Sequence, residues 1–307
     1  MAKLKVIQLN LWHGTYLREA AAFLKRENPD IILLQEVAIG AENRAPDIKN
    51  QFEFLKHELG MDGVFAPSHA LTNDAQSQLG NAVLTKERII STHTLWLRPF
   101  AKIPLEIEKR DIPAMPRNAL DCTIELKETE LHAISVHSAW TQKPVDTPEK
   151  IRQAKLLAEY IKQLEGQPFI LGGDFNMPPG SKTIDIISSV ARDAVTHPPS
   201  RITHTINYAL HPSAAEMPGD LKVDFIFTPL PHSPLHSAKE HASGNRKMSQ
   251  RKKRNTTVMG FASPHFTVSS IIAPQVNISD HLPVCASLTF HERRDDGIPP
   301  RLPKSLR

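Results

Sequence analysis

The segment Leu171-Gly172-Gly173-Asp174-Phe175-Asn176 carries an apolar run into two glycines and then presents a carboxylate and a carboxamide. Asp174 and Asn176 are two apart, so an extended backbone would point both to one side, and the glycines would permit a close turn. Such a pair can orient or deprotonate a water and donate a hydrogen bond to a charged oxygen. Other apolar runs also end in polar groups. Val6-Ile7-Gln8-Leu9 leads to Asn10, and Ile31-Ile32-Leu33-Leu34-Gln35 leads to Glu36. Ile134-Ser135-Val136 leads to His137, Asp224 stands between Val223 and Phe225, and Asp280 and His281 are adjacent before Leu282-Pro283. Any one of these has a structural explanation, since a lone strand-end histidine is usually a satisfied core or surface residue. Together they describe one site. The carboxylates of Glu36, Asp174, Asp224 and Asp280, with the amides of Asn10 and Asn176, suit a hard, oxygen-seeking cation such as Mg²⁺. The two histidines suit proton management.

The elements that must carry these groups alternate between strand and helix. Strands are expected at 5–11, 31–37, 82–85, 89–97, 119–126, 131–137, 168–171, 223–227 and 282–290. Helices are expected at 16–27, stopped by Asn28-Pro29, at 48–59, closed by Gly60, and at 148–165, capped by Thr147. A further helix is expected from a Ser181 cap through residue 190. Residues 1–290 read as a single domain. Within it, 229–263 reads as a disordered basic insertion, and 291–307 as a flexible tail.

Composition limits the function. The chain has 307 residues, 40% hydrophobic and 23% charged, with no apolar run near the ~20 residues of a membrane span. The amino terminus lacks a signal-peptide pattern, so a cytoplasmic monomer is expected. Cys122 and Cys285 lie in apolar strands and read as buried free thiols. The net charge of +4 favours a polyanion weakly, and six of the nine residues 246–254 are basic. That run is either a phosphate-binding arm or a solvated insertion. His197, His204, His211, His232, His236 and His241 match no zinc spacing and read as surface or loop residues.

The ordered series Leu-Asn, Gln-Glu, Val-His, Gly-Gly-Asp-Phe-Asn, Val-Asp-Phe-Ile and Ser-Asp-His-Leu-Pro resembles the endonuclease/exonuclease/phosphatase superfamily. Gly-Asn at 80–81 and Pro-Arg-Asn-Ala-Leu at 116–120 resemble its intermediate strands, and the likeness spans 5–290. The superfamily includes exonuclease III-like repair enzymes, pancreatic deoxyribonuclease, inositol-polyphosphate 5-phosphatases and neutral sphingomyelinases. The resemblance implies an α/β fold, a four-layer α/β sandwich with two mixed sheets face to face and helices outside. It implies Glu36 as the principal Mg²⁺ ligand, with Mn²⁺ as a substitute, and Asn10 and Asp280 as further ligands, direct or through water. Asp174 would activate water and Asn176 hold an anionic oxygen. Asp224 would orient His281, and His137 would donate to the phosphate or leaving group. Either Asp174 or His281 would take the proton. Arg117 is a candidate phosphate clamp, and Asn81 and Asn207 are candidate substrate contacts. Three readings follow: a phosphodiesterase acting on nucleic acid, favoured by the basic balance; a phosphatase or phosphodiesterase for a lipid headgroup, inositol phosphate or other small phosphorylated metabolite; and a silent binding protein, which the complete set of competent residues opposes.

Overall fold

The computed structural model describes residues 1–45, 47–126, 129–164, 166–196, 202–230 and 265–291. Residues 231–263 of the expected insertion, with the basic run, and residues 292–307 of the expected tail lie outside them. Of the histidines set aside in the sequence, His197, His232, His236 and His241 also lie outside.

Two mixed sheets form the body of the fold. One contains β1 (Ala2–Asn10), β2 (Ile31–Ile39), β3 (Asp62–Leu71), β4 (Gln78–Thr85), β6 (Ala101–Ile103), β12 (His265–Ile272) and β13 (Val284–His291). Its order is β12-β13-β1-β2-β4-β3-β6. The other contains β5 (Ile89–Arg98), β7 (Arg117–Leu126), β8 (Thr129–His137), β9 (Phe169–Asp174), β10 (Ala191–Asp193) and β11 (Asp224–Pro229), in the order β10-β11-β9-β8-β7-β5. Pairing is parallel for β1 with β2, β3 with β6 and β8 with β9, and antiparallel elsewhere.

Three apolar clusters define the layers. Val6, Ile31, Leu33 and Val83 of one sheet pack on Leu120, Ile124, Ile170 and Ile226 of the other. Ile7, Leu9, Ile32 and Leu34 on the outer face of the first sheet pack against Leu24 of α1 (Leu17–Glu27) and Leu55 of α2 (Gln51–Leu59). Ile134, Leu171 and Phe225 of the second pack against Leu157 and Ile161 of α3 (Pro148–Gln163) and Ile184 of α4 (Lys182–Ser188). The inner strands are covered on both faces, which is why they read as unbroken apolar runs rather than alternating ones. Among the described residues, no helix is long and apolar enough to cross a membrane.

The helix signals acted where expected. Thr147 accepts from the Lys150 amide, Ser181 from the Ile184 amide, and Asn28 and Gly60 close their helices in the left-handed conformation. α2 begins at Gln51 rather than 48, because the Asn50 side chain caps it by accepting from the Glu53 amide. β3, β6, β10 and β12 are additions to the expected strands. Both cysteines are buried free thiols, pushed up to about 12 chiefly by burial.

The two glycines of β9 act differently from the expected turn. Neither has a positive φ. They let neighbours approach: a Cβ on Gly172 would lie 2.7 Å from Leu33 Cδ1 of the facing sheet, and one on Gly173 would lie 2.0 Å from the Val136 carbonyl oxygen. The second contact is with backbone and cannot be relieved by a rotamer. Gly173→Ala should therefore cost about 1–3 kcal/mol by overpacking, read as a shifted urea midpoint with unchanged slope. An unchanged midpoint would mean that the β8–β9 pairing yields freely.

Candidate active site

One row of strand ends brings three of the groups together. Asp174 at the end of β9 is the register partner of both His137 on β8 and Asp224 on β11. Adjacent strands lie ~4.8 Å apart, so the three side chains share one edge of the sheet. Glu36 reaches the same place by a defect in β2. The pairing with β4 slips between Leu34 and Val37, and Glu36 within that bulge has φ 54°. Asp280 and His281 lie on a loop before β13. It is stitched by an Ile206–His281 bridge, by Asn207 N–H to Asp280 O (2.8 Å) and by Ser279 Oγ to Asn10 O (2.6 Å).

A cavity of about 450 Å³ opens over these ends, walled in part by Glu36, Arg117, His137, Asp174, Asn176, Asp280 and His281. Strain concentrates there. Of the five described non-glycine residues with positive φ, Trp12, His13, Glu36 and Asn176 line this cavity, and the fifth, Asn28, ends α1. Residues held in that region cost of order 1–3 kcal/mol each and cluster at functional sites. Asn176, with φ 52°, is part of a turn, not an extended strand. Its N–H donates to Asp174 Oδ1 at 2.9 Å, and its Nδ2 donates to Ser138 O at 3.2 Å. The expected side-by-side presentation is thus corrected to a carboxylate braced by the turn that follows it. Lys150, almost fully buried, donates from Nζ to Asn176 O (3.2 Å) and braces the same turn. Burial lowers its pKa to about 8, against the pull of Asp174 and Asp146.

Asp174 sits between two imidazoles. His137 Nε2 is 3.6 Å and His281 Nε2 3.7 Å from Asp174 Oδ2, and Asn10 Nδ2 donates to the same oxygen at 3.2 Å. His281 Nδ1 lies 2.8 Å from Asp224 Oδ2, while Gln8 Nε2, from the opposite sheet, donates to Asp224 Oδ1 at 2.9 Å. Burial and the Asp224 and Glu36 charges, against the pull of His281, push Asp174 up to about 6. His281 is held well above an ordinary histidine, because Asp224, Asp174 and Asp280 outweigh its burial. It is therefore an imidazolium near neutral pH. His137 is held well below, by burial and by the charge of Arg117, and is neutral.

Asp174, Asp224 and His281 also form a group whose donor atoms lie within 4.8 Å of one another, the one such group among the described residues. Its members are already joined by the Asp224–His281 hydrogen bond. Glu36 and Asp280 lie outside that group and on the same cavity. Burial and the charges of Glu36 and Asp174, against His281, push Asp280 up to about 7. A buried Asp280 and a part-exposed Glu36, presenting hard oxygens to one cavity, are a donor set a divalent cation fits.

Arg117, at the start of β7 and 6% exposed, lines the cavity with a guanidinium that makes no hydrogen bond among the described residues; its Nε is buried and unpartnered. Asn81 and Asn207 are placed differently. Asn81 donates to Asn118 O and Oδ1 at 2.8 and 2.7 Å, in a small space beside Glu36 and Arg117. Asn207 spends Nδ2 on Ser279 O (2.9 Å) and Val276 O (3.1 Å), holding the Asp280 loop from behind. Asn10 is buried, its oxygen accepting from Trp12 N–H at 2.9 Å.

Two cavity residues were not drawn from the sequence. His211, expected as a surface or loop residue, lies in a loop with Nε2 3.9 Å from Asp280 Oδ2, and burial and the charge of His281 lower its pKa to about 4. His13 lies with Nε2 3.5 Å from Glu36 Oε2. Each is a single histidine in a loop, without a motif, and its partner is remote in sequence. The Leu-Trp-His-Gly turn after a polar strand end was the one available signal for His13.

A family model described as Endonuclease/Exonuclease/phosphatase family matches residues 7–281. No curated protein matches the sequence. Among solved structures, an endonuclease/exonuclease/phosphatase from Bacteroides vulgatus is similar at 17% identity and TM-score 0.65, covering 95% of this chain and 100% of its own. A mannosyl-6-phosphatase from Bacteroides thetaiotaomicron is similar at 18% identity and TM-score 0.63, covering 94% and 100%. A humanized D. rerio TDP2 is similar at 15% identity and TM-score 0.61, covering 94% and 99%.

Proposed function

The chain belongs to the Endonuclease/Exonuclease/phosphatase family, whose members are metal-dependent phosphoester hydrolases, and from that premise we propose that it hydrolyses a compact phosphoester with Mg²⁺ as the working ion. Mn²⁺ would substitute. The observation that carries the reading is the charge left over in the cavity. The Arg117 guanidinium, buried and without a hydrogen-bond or ion-pair partner among the described residues, faces the same space as the Glu36 and Asp280 carboxylates. A phosphate and a divalent ion are complementary to that pair. Glu36 and Asp280 would hold the ion, and Asn10 would fix the turn and the carboxylate beside them. When bound, the ion supplies charge neutralisation at a non-bridging phosphate oxygen.

The chain's own groups divide the remaining work. Asp174, an anion between two imidazoles, takes the proton of the attacking water. His281 is already protonated and oriented by Asp224, so it offers Nε2–H to charge developing on the phosphate or leaving group rather than acting as the base. Neutral His137 and the Arg117 fork give the phosphate further donors, and Asn176 sits beside them for an equatorial oxygen.

The walls support a small substrate with an apolar or aromatic portion. Trp12, Trp140, Ile107, Ile112, Met115 and Met217 line the cavity, and its volume of about 450 Å³ suits a small-molecule site. One of the similar solved structures is a mannosyl-6-phosphatase and another a humanized D. rerio TDP2, and a shared fold does not choose among substrates. A nuclease is the second reading, favoured by the net charge of +4 and the basic run at 246–254. A Mg²⁺ activity panel of aryl phosphodiesters and monoesters, sphingomyelin, inositol phosphates, RNA, plasmid DNA and abasic duplex tests the choice. Turnover of small aryl or lipid phosphoesters above all nucleic acids is expected. Preferential cleavage of duplex or RNA would replace the first reading with the second, and no Mg²⁺-dependent turnover would remove both.

A further inference from the structure

We infer that His13 is a direct ligand of the catalytic cation together with Glu36, and that this imidazole makes the site bind Mn²⁺ more tightly than Mg²⁺. The inference rests on the cation site proposed above. It begins with the tautomer. His13 Nδ1 lies 3.0 Å from the Glu42 carbonyl oxygen, and a carbonyl only accepts, so Nδ1 carries the proton. In the neutral ring the lone pair is then on Nε2, which faces Glu36 Oε2 at 3.5 Å. That separation is longer than the 2.7–3.2 Å of a hydrogen bond. Two cis ligands of an octahedral ion, each at ~2.1 Å, lie ~3.0 Å apart. A small rotamer adjustment closes that difference.

The support behind His13 has the form that metal-binding histidines require, with the second ring nitrogen docked on a carbonyl and a carboxylate. Glu42 Oε2 is 3.6 Å from Nδ1, and the Arg110 Nη2 donates to Glu42 Oε1 at 2.6 Å. Glu42 is buried. Arg110 thus neutralises the carboxylate beside the ring, whose Nδ1 is held by the Glu42 carbonyl. The backbone holds His13 in place by strain: Trp12, His13 and Gly14 have φ of 49°, 53° and 75° in succession, and Glu36 opposite has 54°. Observed outliers at both partners point to a shared function. Asn10, the nearby amide, has its oxygen on Trp12 N–H and its nitrogen on Asp174, and His13 lines the cavity. Imidazole beside carboxylate shifts preference from Mg²⁺ toward first-row transition ions.

The test loads EDTA-treated, desalted protein with one equivalent of Mn²⁺ and records electron spin-echo modulation, with a ¹⁵N-histidine-labelled sample alongside. The wild type should show a directly bound histidine nitrogen. That coupling should vanish in His13→Gln and persist in His211→Gln. Mn²⁺ affinity, followed by the free-ion signal, should fall at least the ~10–100-fold that loss of an outer partner costs, with a smaller loss for Mg²⁺. Bound Mn²⁺ without nitrogen coupling in the wild type overturns the inference whatever the variants do, as does coupling that survives in His13→Gln. Glu36→Gln separates the two levels. If it binds Mn²⁺ as tightly as the wild type, the cation site itself is wrong. If it loses Mn²⁺ while the wild type shows no nitrogen coupling, only the role of His13 falls.

Discussion

Asp174→Asn lowers kcat by about 10²–10⁴, the span a positioned general base supplies, while leaving the fold intact. The near-isosteric amide keeps the volume but cannot accept a proton from water. Its stability effect is a small difference of two terms. Asp174 Oδ1 accepts from Asn176 N–H and Oδ2 from Asn10 Nδ2; an amide has one oxygen and loses one of these bonds, at about 0.5–1.5 kcal/mol. Against that, the variant removes a carboxylate whose charged form burial disfavours, as its rise to about 6 records. The melting temperature should therefore move by a few degrees at most. Steady-state kinetics beside a thermal melt separates the cases. More than a tenth of wild-type kcat remaining would remove Asp174 from the role of base, and unfolding would leave Asp174→Ser as the next variant to read.

Arg117→Met should weaken catalysis and strengthen the fold together. The guanidinium is buried without a hydrogen-bond partner among the described residues, and desolvation lowers its pKa against the pull of Glu36 and Asp174. An unpaired buried charge destabilises the free protein, and replacing buried ions by apolar groups of similar volume often stabilises by about 1–4 kcal/mol. Losing a preorganised donor to the phosphate costs about 10²–10³ in rate. Arg117→Lys should restore only part of it, because an ammonium lacks the planar fork. The opposite signs are the diagnostic. A variant with kcat/KM within threefold of wild type, or one that is less stable, would show that Arg117 serves packing rather than an anion.

The strand-end carboxylates were legible because burial leaves a simple signal: an apolar run long enough for a covered strand, then a group that no core would choose. Glu36 after Ile31-Ile32-Leu33-Leu34 and Asp174 after Leu171 are instances, and register then aligned Asp174 with His137 and Asp224. The capped helices were legible because Thr147, Ser181, Asn28 and Gly60 act locally. β3 was hidden because Gly63 and Pro67 interrupt its pattern, and its inward face carries His69. Asn176 misled because an i,i+2 spacing predicts a shared face only while the backbone stays extended, and its φ is positive. His13 and His211 carry no sequence pattern; what each faces is a carboxylate brought in by tertiary structure. Asn207, read from the sequence as a substrate contact, has its amide spent on the backbone of the Asp280 loop.

The central claim is that a divalent ion on Glu36 and Asp280 is required for phosphoester hydrolysis in this cavity. Its most direct test is a Mg²⁺ titration of the initial rate on EDTA-treated protein, run in parallel with Glu36→Gln on the best substrate of the panel. No turnover is expected without metal, with saturable activation of the wild type and an activation constant raised at least tenfold in the variant. Full activity in EDTA, or the same Mg²⁺ dependence in Glu36→Gln, would contradict it.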